Sequence, residues 1–138
     1  MPPPAGKWII LFLVIAGMGA IMSFHSFRGG NPDEKDYSKC LKKYNSEWGE
    51  PCTQCTSFNN SYRVSLRNTC TETIDVKCAV QESDKRWKTF IKLSMAGGDT
   101  MVAYACNGLG KYMVWARKSG DRINEFPSDE EINAQNKK

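Results

Sequence analysis

"RNTCTETIDVKCAV", residues 67–80, decides the fold. In its second half Ile74, Val76, Cys78 and Val80 fall on one face, while Asp75, Lys77 and, just beyond, Gln81 fall on the other. A period of two is the mark of a strand with one buried side. The stretch also carries two cysteines with seven residues between them, which either staple the fold or serve a chemical site.

The same period continues on both sides. "YRVSL" (62–66) sets Tyr62, Val64 and Leu66 against Arg63, Ser65 and Arg67. "RWKTFIKLS" (86–94) sets Trp87, Thr89, Ile91 and Leu93, expected to face the core, against Arg86, Lys88 and Lys92, with Phe90 breaking the polar side. "AGGDT" turns the chain into "MVAYAC" (101–106), "NGLG" turns it into "KYMVWAR" (111–117), and "KSGD" leads to "RINEF" (122–126). Turn residues between short alternating runs, with no crossover helix, predict a mainly β domain: a small antiparallel β-sandwich or meander of five to six strands. Tyr104, Tyr112 and Trp87 are expected to fill its core.

Ahead of the strands, "SKCLKKYNSEWGEP" (38–51) places Cys40, Leu41, Tyr44 and Trp48 at helical spacing, with Ser38 as cap and Gly49 and Pro51 as stops. It predicts a short N-terminal helix. At the other end "PSDEEINAQNKK" carries Ser128 and Glu131 at capping-box spacing, giving a terminal turn of helix or a frayed tail.

"KWIILFLVIAGMGAIMSFHSF" (7–27) is an uncharged apolar run after Lys7. About 20 apolar residues are enough to cross a bilayer. Two readings stand: an uncleaved signal-anchor or transmembrane helix, which is preferred, and a secretory signal cut near "GMGA" (17–20). Either way the remainder is expected in the periplasm or extracellular space. The organisation is then an anchor over 1–27, a polar tether over 28–37, a disulfide-linked helix and loop over 38–56, and an antiparallel β-domain with a tail over 57–138.

All six cysteines, Cys40, Cys52, Cys55, Cys70, Cys78 and Cys106, lie in the exported part. An even count in a small exported domain reads as a disulfide framework. Cys70 and Cys106 sit at strand rims and are expected to bridge, leaving the others to tie the Cys40 helix and the "CTQC" loop to each other and to Cys78. A thioredoxin-type pair at Cys52 and Cys55 lacks the preceding strand and following helix. A zinc site lacks a second close pair.

His25 is the only histidine and lies in the apolar run, which removes histidine-based triads and metal sites from the exported domain. Asp75, Glu82, Asp84, Asp99 and Asp121 read as turn or outer-face residues in solvent. The expectation is a protein that is no enzyme and holds no metal or cofactor. The net charge of +4 is mild, and without Lys7 and Arg28 17 of the 19 basic residues face 15 acids, a balance unsuited to nucleic acid. The residues offered for partner contact are Arg63, Arg67, Arg86, Lys88, Phe90, Lys92, Met113, Trp115 and Arg117, basic positions interleaved with aromatics and methionine. Together these readings describe a membrane-anchored accessory or structural subunit of a cell-envelope assembly that binds protein partners. The alternative is a secreted module that binds an anionic glycan or another polyanion.

Overall fold

The computed structural model describes residues 35–135. The expected anchor over 1–27 and the tether as far as residue 34 lie outside the described residues, among which no helix is long and apolar enough to cross a membrane. A 3₁₀ turn, Tyr37–Cys40, comes first. Strands β1 (Leu41–Trp48), β2 (Tyr62–Asn68), β3 (Ile74–Glu82), β4 (Trp87–Met95), β5 (Thr100–Ala105) and β6 (Gly108–Lys118) follow, then helix α1 (Asp129–Gln135). They form two antiparallel three-stranded sheets, ordered β1-β2-β5 and β4-β3-β6. The chain changes sheet after β2, after β4 and after β5, so the strands do not form a meander.

The two sheets share one core. Tyr62, Val64 and Leu66 of β2, Met101, Ala103 and Ala105 of β5, and Ile74, Val76, Cys78 and Val80 of β3 are all buried in it. Each large side chain so buried contributes about 1.5–3 kcal/mol. The inward faces of β2 and β3 are those their alternation assigns, whereas β5 is apolar on both sides and turns Met101, Ala103 and Ala105 inward instead of the expected Tyr104 side.

Residues 38–51 are not a helix. Only Tyr37–Cys40 is helical, and Leu41–Trp48 is the edge strand β1, paired with β2 from Leu41↔Asn68 to Trp48↔Tyr62. A bulge at Tyr44 shifts the register between Lys43 and Asn45. The extra residue resets the alternation, so Leu41 and Trp48, seven apart, both lie on the Asn68–Tyr62 face of β2. The same odd spacing imitates a helical repeat.

The disulfides follow from that pairing and differ from the Cys70–Cys106 bridge expected. Antiparallel β1 and β2 set Cys40 beside Thr69, whose N–H donates to the Cys40 carbonyl at 2.8 Å, and Cys40 bonds Cys70 across Cα atoms 5.1 Å apart. At the opposite end Tyr62↔Ala105 pairing brings Cys106 to the start of β2, where the β1–β2 loop returns Cys55 to it across 5.3 Å. Loops of this length make each bond worth about 3–4 kcal/mol through the unfolded chain. Cys52 and Cys78 are unpaired, so Cys78 belongs to the core and not to the disulfide framework.

Two further expectations are corrected. "RINEF" (122–126) is not a strand: Asp121 accepts from the Ile123 and Asn124 N–H groups at 2.8 and 3.2 Å and turns the chain away from the sheet. The tail instead ends in α1, where the capping box forms as spaced: Glu131 N–H donates to Ser128 Oγ at 3.1 Å and Ser128 N–H to Glu131 Oε2 at 2.7 Å.

Candidate interaction surfaces

Strand β4 carries its two faces the opposite way from the sequence expectation. Phe90 lies directly across from Cys78 and packs on the core, which puts Lys88 and Lys92 on the inward face with it. Trp87, Thr89, Ile91 and Leu93 face outward. A register shift between Ile74 and Val76, with Ser94 at φ 52°, returns Met95 to the core opposite Ile74. The inward lysines escape over the sheet edge. Lys88 Nζ lies 4.1 Å from the Tyr104 ring, itself packed on Phe90 at 4.9 Å, and Lys92 donates to the Thr100 carbonyl at 2.7 Å. Tyr104 therefore packs on Phe90 at the rim of the core, Tyr112 packs against the core, and Trp87 lies outside it.

The outer face of the β4-β3-β6 sheet is crossed by the chain's own segment 121–135. From β6, Arg117 donates to the Asn124 carbonyl at 2.9 Å and stacks on Phe126. From β3, Lys77 donates to the Pro127 carbonyl at 2.8 Å and to Asp129 Oδ1 at 2.6 Å. From β4, Thr89 donates to the same Asp129 oxygen at 2.9 Å. Asn133 finishes the crossing as a substitute strand, its Oδ1 accepting from Trp87 N–H at 2.8 Å and its Nδ2 donating to the Trp87 carbonyl at 3.3 Å. Ile132 is buried. β3 is consequently covered on both faces.

This strap explains the ionisation of the face. The Lys77 ammonium, helped by Thr89 and opposed by partial burial, holds the Asp129 carboxyl below its ordinary range. Asp75 is not a solvated acid but is buried. Burial raises its pKa, yet the Ser94 and Gly120 N–H groups, Ser119 and Arg117 together outweigh that and leave it lowered. Its ion pair with Arg117 Nε spans 3.5 Å.

The residues offered for partner contact do not form one face. Arg63 pairs with Glu47, and Arg67 lies over the exposed Tyr44 ring at 4.9 Å, both on the outer face of β1-β2-β5. Lys88, Phe90 and Lys92 occupy the β4–β5 edge. Met113, Trp115 and Arg117 stand opposite Ala79, Lys77 and Asp75 on the strapped face, each only partly exposed. Arg86 reaches out from the β3–β4 turn to Asp84 at 2.6 Å.

That turn borders a groove of about 580 Å³, lined among others by Glu82, Arg86, Trp87, Asn107, Asp129 and Asn133. Glu82 builds its wall by accepting from the Cys106 and Asn107 N–H groups at 3.0 and 2.9 Å. Trp87 Nε1 is buried there and has no hydrogen-bond partner among the described residues. Opposite Glu82 in the β3–β6 ladder a glycine is needed, because a Cβ on Gly108 would lie 2.5 Å from Tyr62 Cβ. Trp87, Lys77, Asp129 and Asn133 went unnoticed as a set in the sequence, because three elements supply them, and Asp129 and Asn133 of α1 lie more than 40 residues from Lys77 of β3 and Trp87 of β4. The only local signal was the capping box.

Beside the strap, β4 runs on as a sheet edge. Ile91 and Leu93 are 58% and 60% exposed on its outer face. No group of three or more His, Cys, Asp or Glu side chains is placed to hold a metal among the described residues. Of the unpaired thiols, Cys78 is buried and pushed up to about 12, while Cys52 is partly exposed and donates to the Glu50 carbonyl at 3.4 Å. Comparison with protein-family models, with characterised proteins and with solved structures finds no match to this chain.

Proposed function

We propose that this chain is a non-enzymatic, membrane-anchored subunit of a cell-envelope assembly. Its two sheets form a small disulfide-bonded sandwich held outside the cytosol, and it meets a protein partner along the β4 edge. The observation that carries the reading is the bare continuation of that edge: Asn133 occupies the backbone of Trp87, while the outward residues beyond it, Ile91 and Leu93, remain exposed. An extended segment of a partner can add there as a further strand, its main chain supplying affinity and alternate side chains meeting Ile91 and Leu93. Lys88 and Lys92 on the edge favour a segment carrying acidic residues. The two disulfides fit an oxidising compartment.

The test is native mass spectrometry of the intact protein gently released from its own membranes, alongside an Ile91→Lys, Leu93→Lys variant. A stoichiometric complex lost in a variant that melts like the wild type supports the reading. A free monomer, or a complex indifferent to both substitutions, overturns it.

A second reading rests on a different place. Lys42 stands opposite Arg67, which in turn covers the half-exposed Tyr44, forming a small basic and aromatic face that suits an anionic glycan. Binding to a sulfated glycan that fades with salt and drops in Arg67→Ala supports it, whereas no retention at low salt rejects it.

A further inference from the structure

Three of the six cysteines meet at one end of the molecule. Cys55 is bonded to Cys106, and Cys52 stands three residues before Cys55 as a free, partly exposed thiol. The segment Cys52–Cys55 is a tight turn: Cys55 N–H donates to the Cys52 carbonyl at 3.3 Å, and Gln54 takes φ 68° at the third position. Such a turn brings its end residues within about 7 Å between Cα atoms. A disulfide spans about 4.4–6.8 Å, so only a small closure separates the turn from a Cys52–Cys55 bond. Cys78 cannot compete, because it is sealed in the core.

We propose that Cys52, Cys55 and Cys106 form a thiol–disulfide exchange site, in which Cys52 displaces Cys106 from Cys55. The Cys52 thiolate attacks Cys55 Sγ and the Cys52–Cys55 bond forms as the Cys55–Cys106 bond breaks. The electron pair leaves with Cys106 Sγ, which takes up the proton that Cys52 gave away. One thiol and one disulfide enter and one of each leaves, so no external oxidant or reductant is required.

The exchange alters what holds the β1–β2 loop. The Cys55–Cys106 bond links it to the end of β5 across 51 residues, whereas the Cys52–Cys55 bond closes only the turn itself. The loop then keeps hydrogen bonds alone, such as Gly108 N–H to the Asn60 carbonyl at 2.9 Å. The released Cys106 thiol lines a cleft of about 260 Å³ with Thr56, Ser57, Asn60 and Asn107, from which it can attack a disulfide from outside, forming a mixed disulfide as the outer sulfur of that disulfide leaves as a thiol.

The tryptic map separates the two isomers. Cleavage after Lys43 and Arg63 yields a peptide, 44–63, holding both Cys52 and Cys55, and cleavage after Lys92 and Lys111 yields 93–111, holding Cys106. The full-length chain is incubated across a pH series, quenched with N-ethylmaleimide in mild acid and digested without reductant. The expected result is a second species in which 44–63 is free of 93–111 and lighter by two hydrogens, while 93–111 carries maleimide. Its rate of formation rises about tenfold per pH unit while the attacking thiol is mostly protonated. Cys52→Ser abolishes it, and Cys106→Ser yields the bridged 44–63 peptide directly. The proposal is overturned if 44–63 stays linked to 93–111 with Cys52 fully labelled at every pH, or if Cys106→Ser leaves both remaining thiols free.

Discussion

Replacing Asp129 by Asn should unlatch the strap without unfolding the sheets. Lys77 sits on the outer face of β3 with its side chain only 6% exposed, and its ammonium has two acceptors, the Pro127 carbonyl and the Asp129 carboxylate. Removing one partner of a fully buried pair costs about 3–5 kcal/mol. An exposed pair is worth about 0–1 kcal/mol. Here the lysine is enclosed while the Asp129 side chain is 59% exposed, so solvent screens the carboxylate end. The expected cost lies between, at about 1–2 kcal/mol of strap docking, or roughly a 5–30-fold shift in its opening.

The amide of Trp87 reports that opening. Its N–H donates to Asn133 Oδ1 in the strap, on the open side of an edge strand, so its protection from hydrogen exchange depends on α1 staying docked. Trp87 should exchange roughly 5–30-fold faster in Asp129→Asn, while amides within the β3–β4 ladder keep their rates. Adding Lys77→Met should recover part of the loss, because no buried charge is then left half-satisfied. Acid should reproduce the effect in the wild type. The folded Asp129 carboxyl titrates below its ordinary value of 3.8, so its contribution is complete above that value and disappears as pH falls through the lowered one. Trp87 protection that is unchanged by Asp129→Asn, or lost in step with the whole ladder, would refute the latch.

Asn68→Ala should cost about 2–4 kcal/mol in urea unfolding, since the buried Asn68 side chain donates to the Glu72 and Met95 carbonyls and accepts from Cys70 N–H. A loss under about 1 kcal/mol, the worth of a single ordinary hydrogen bond, would deny it that bridging role. Cys78, with its thiol pushed up to about 12 by burial, should resist iodoacetamide in the folded chain at mildly alkaline pH and react only in denaturant. Labelling of Cys78 as fast as Cys52 in the native state would contradict its place in the core.

The strands at the centre of the fold were legible and its edges were not. β2 and β3 alternate, and their inward residues are those the period of two selects, while the edge strand β5 is apolar on both sides and offers no such choice. β1 and β4 each contain an irregularity. The bulge at Tyr44 gives β1 two inward sets of opposite parity, which imitates a helical face, and the shift near Ser94 lets β4 end with Met95 inward while Leu93 points out. Bulges concentrate on edge strands, where the chain is free to accommodate an extra residue. The disulfide map failed for the same reason. Once 38–51 is read as a helix, nothing sets Cys40 beside Cys70, and the bridge goes by default to two strand rims.

Reading polar alternation as a solvent face is a separate error, and it governs the candidate surfaces. Asp75, Lys77 and Gln81 alternate against the core of β3, as an outer face should, yet they are 4%, 5% and 7% exposed. Alternation separates the two sides of a strand without saying whether water or protein covers the second side. What betrays a protein cover is that these polar groups have dedicated partners: Asp75 accepts from Ser94 and Gly120, Lys77 donates to Pro127 and Asp129, and Gln81 donates to the Lys85 carbonyl. A buried polar group left unpaired is costly, and the Lys77 pair, reaching Pro127 and Asp129, is the one that fixes where the covering segment lies, while Asp75 and Gln81 are satisfied by neighbouring turns and strands. Met113, Trp115 and Arg117 are therefore offered to the chain's own strap before they are offered to any partner, and the free apolar contact of this sheet moves to Ile91 and Leu93, where the strap does not reach.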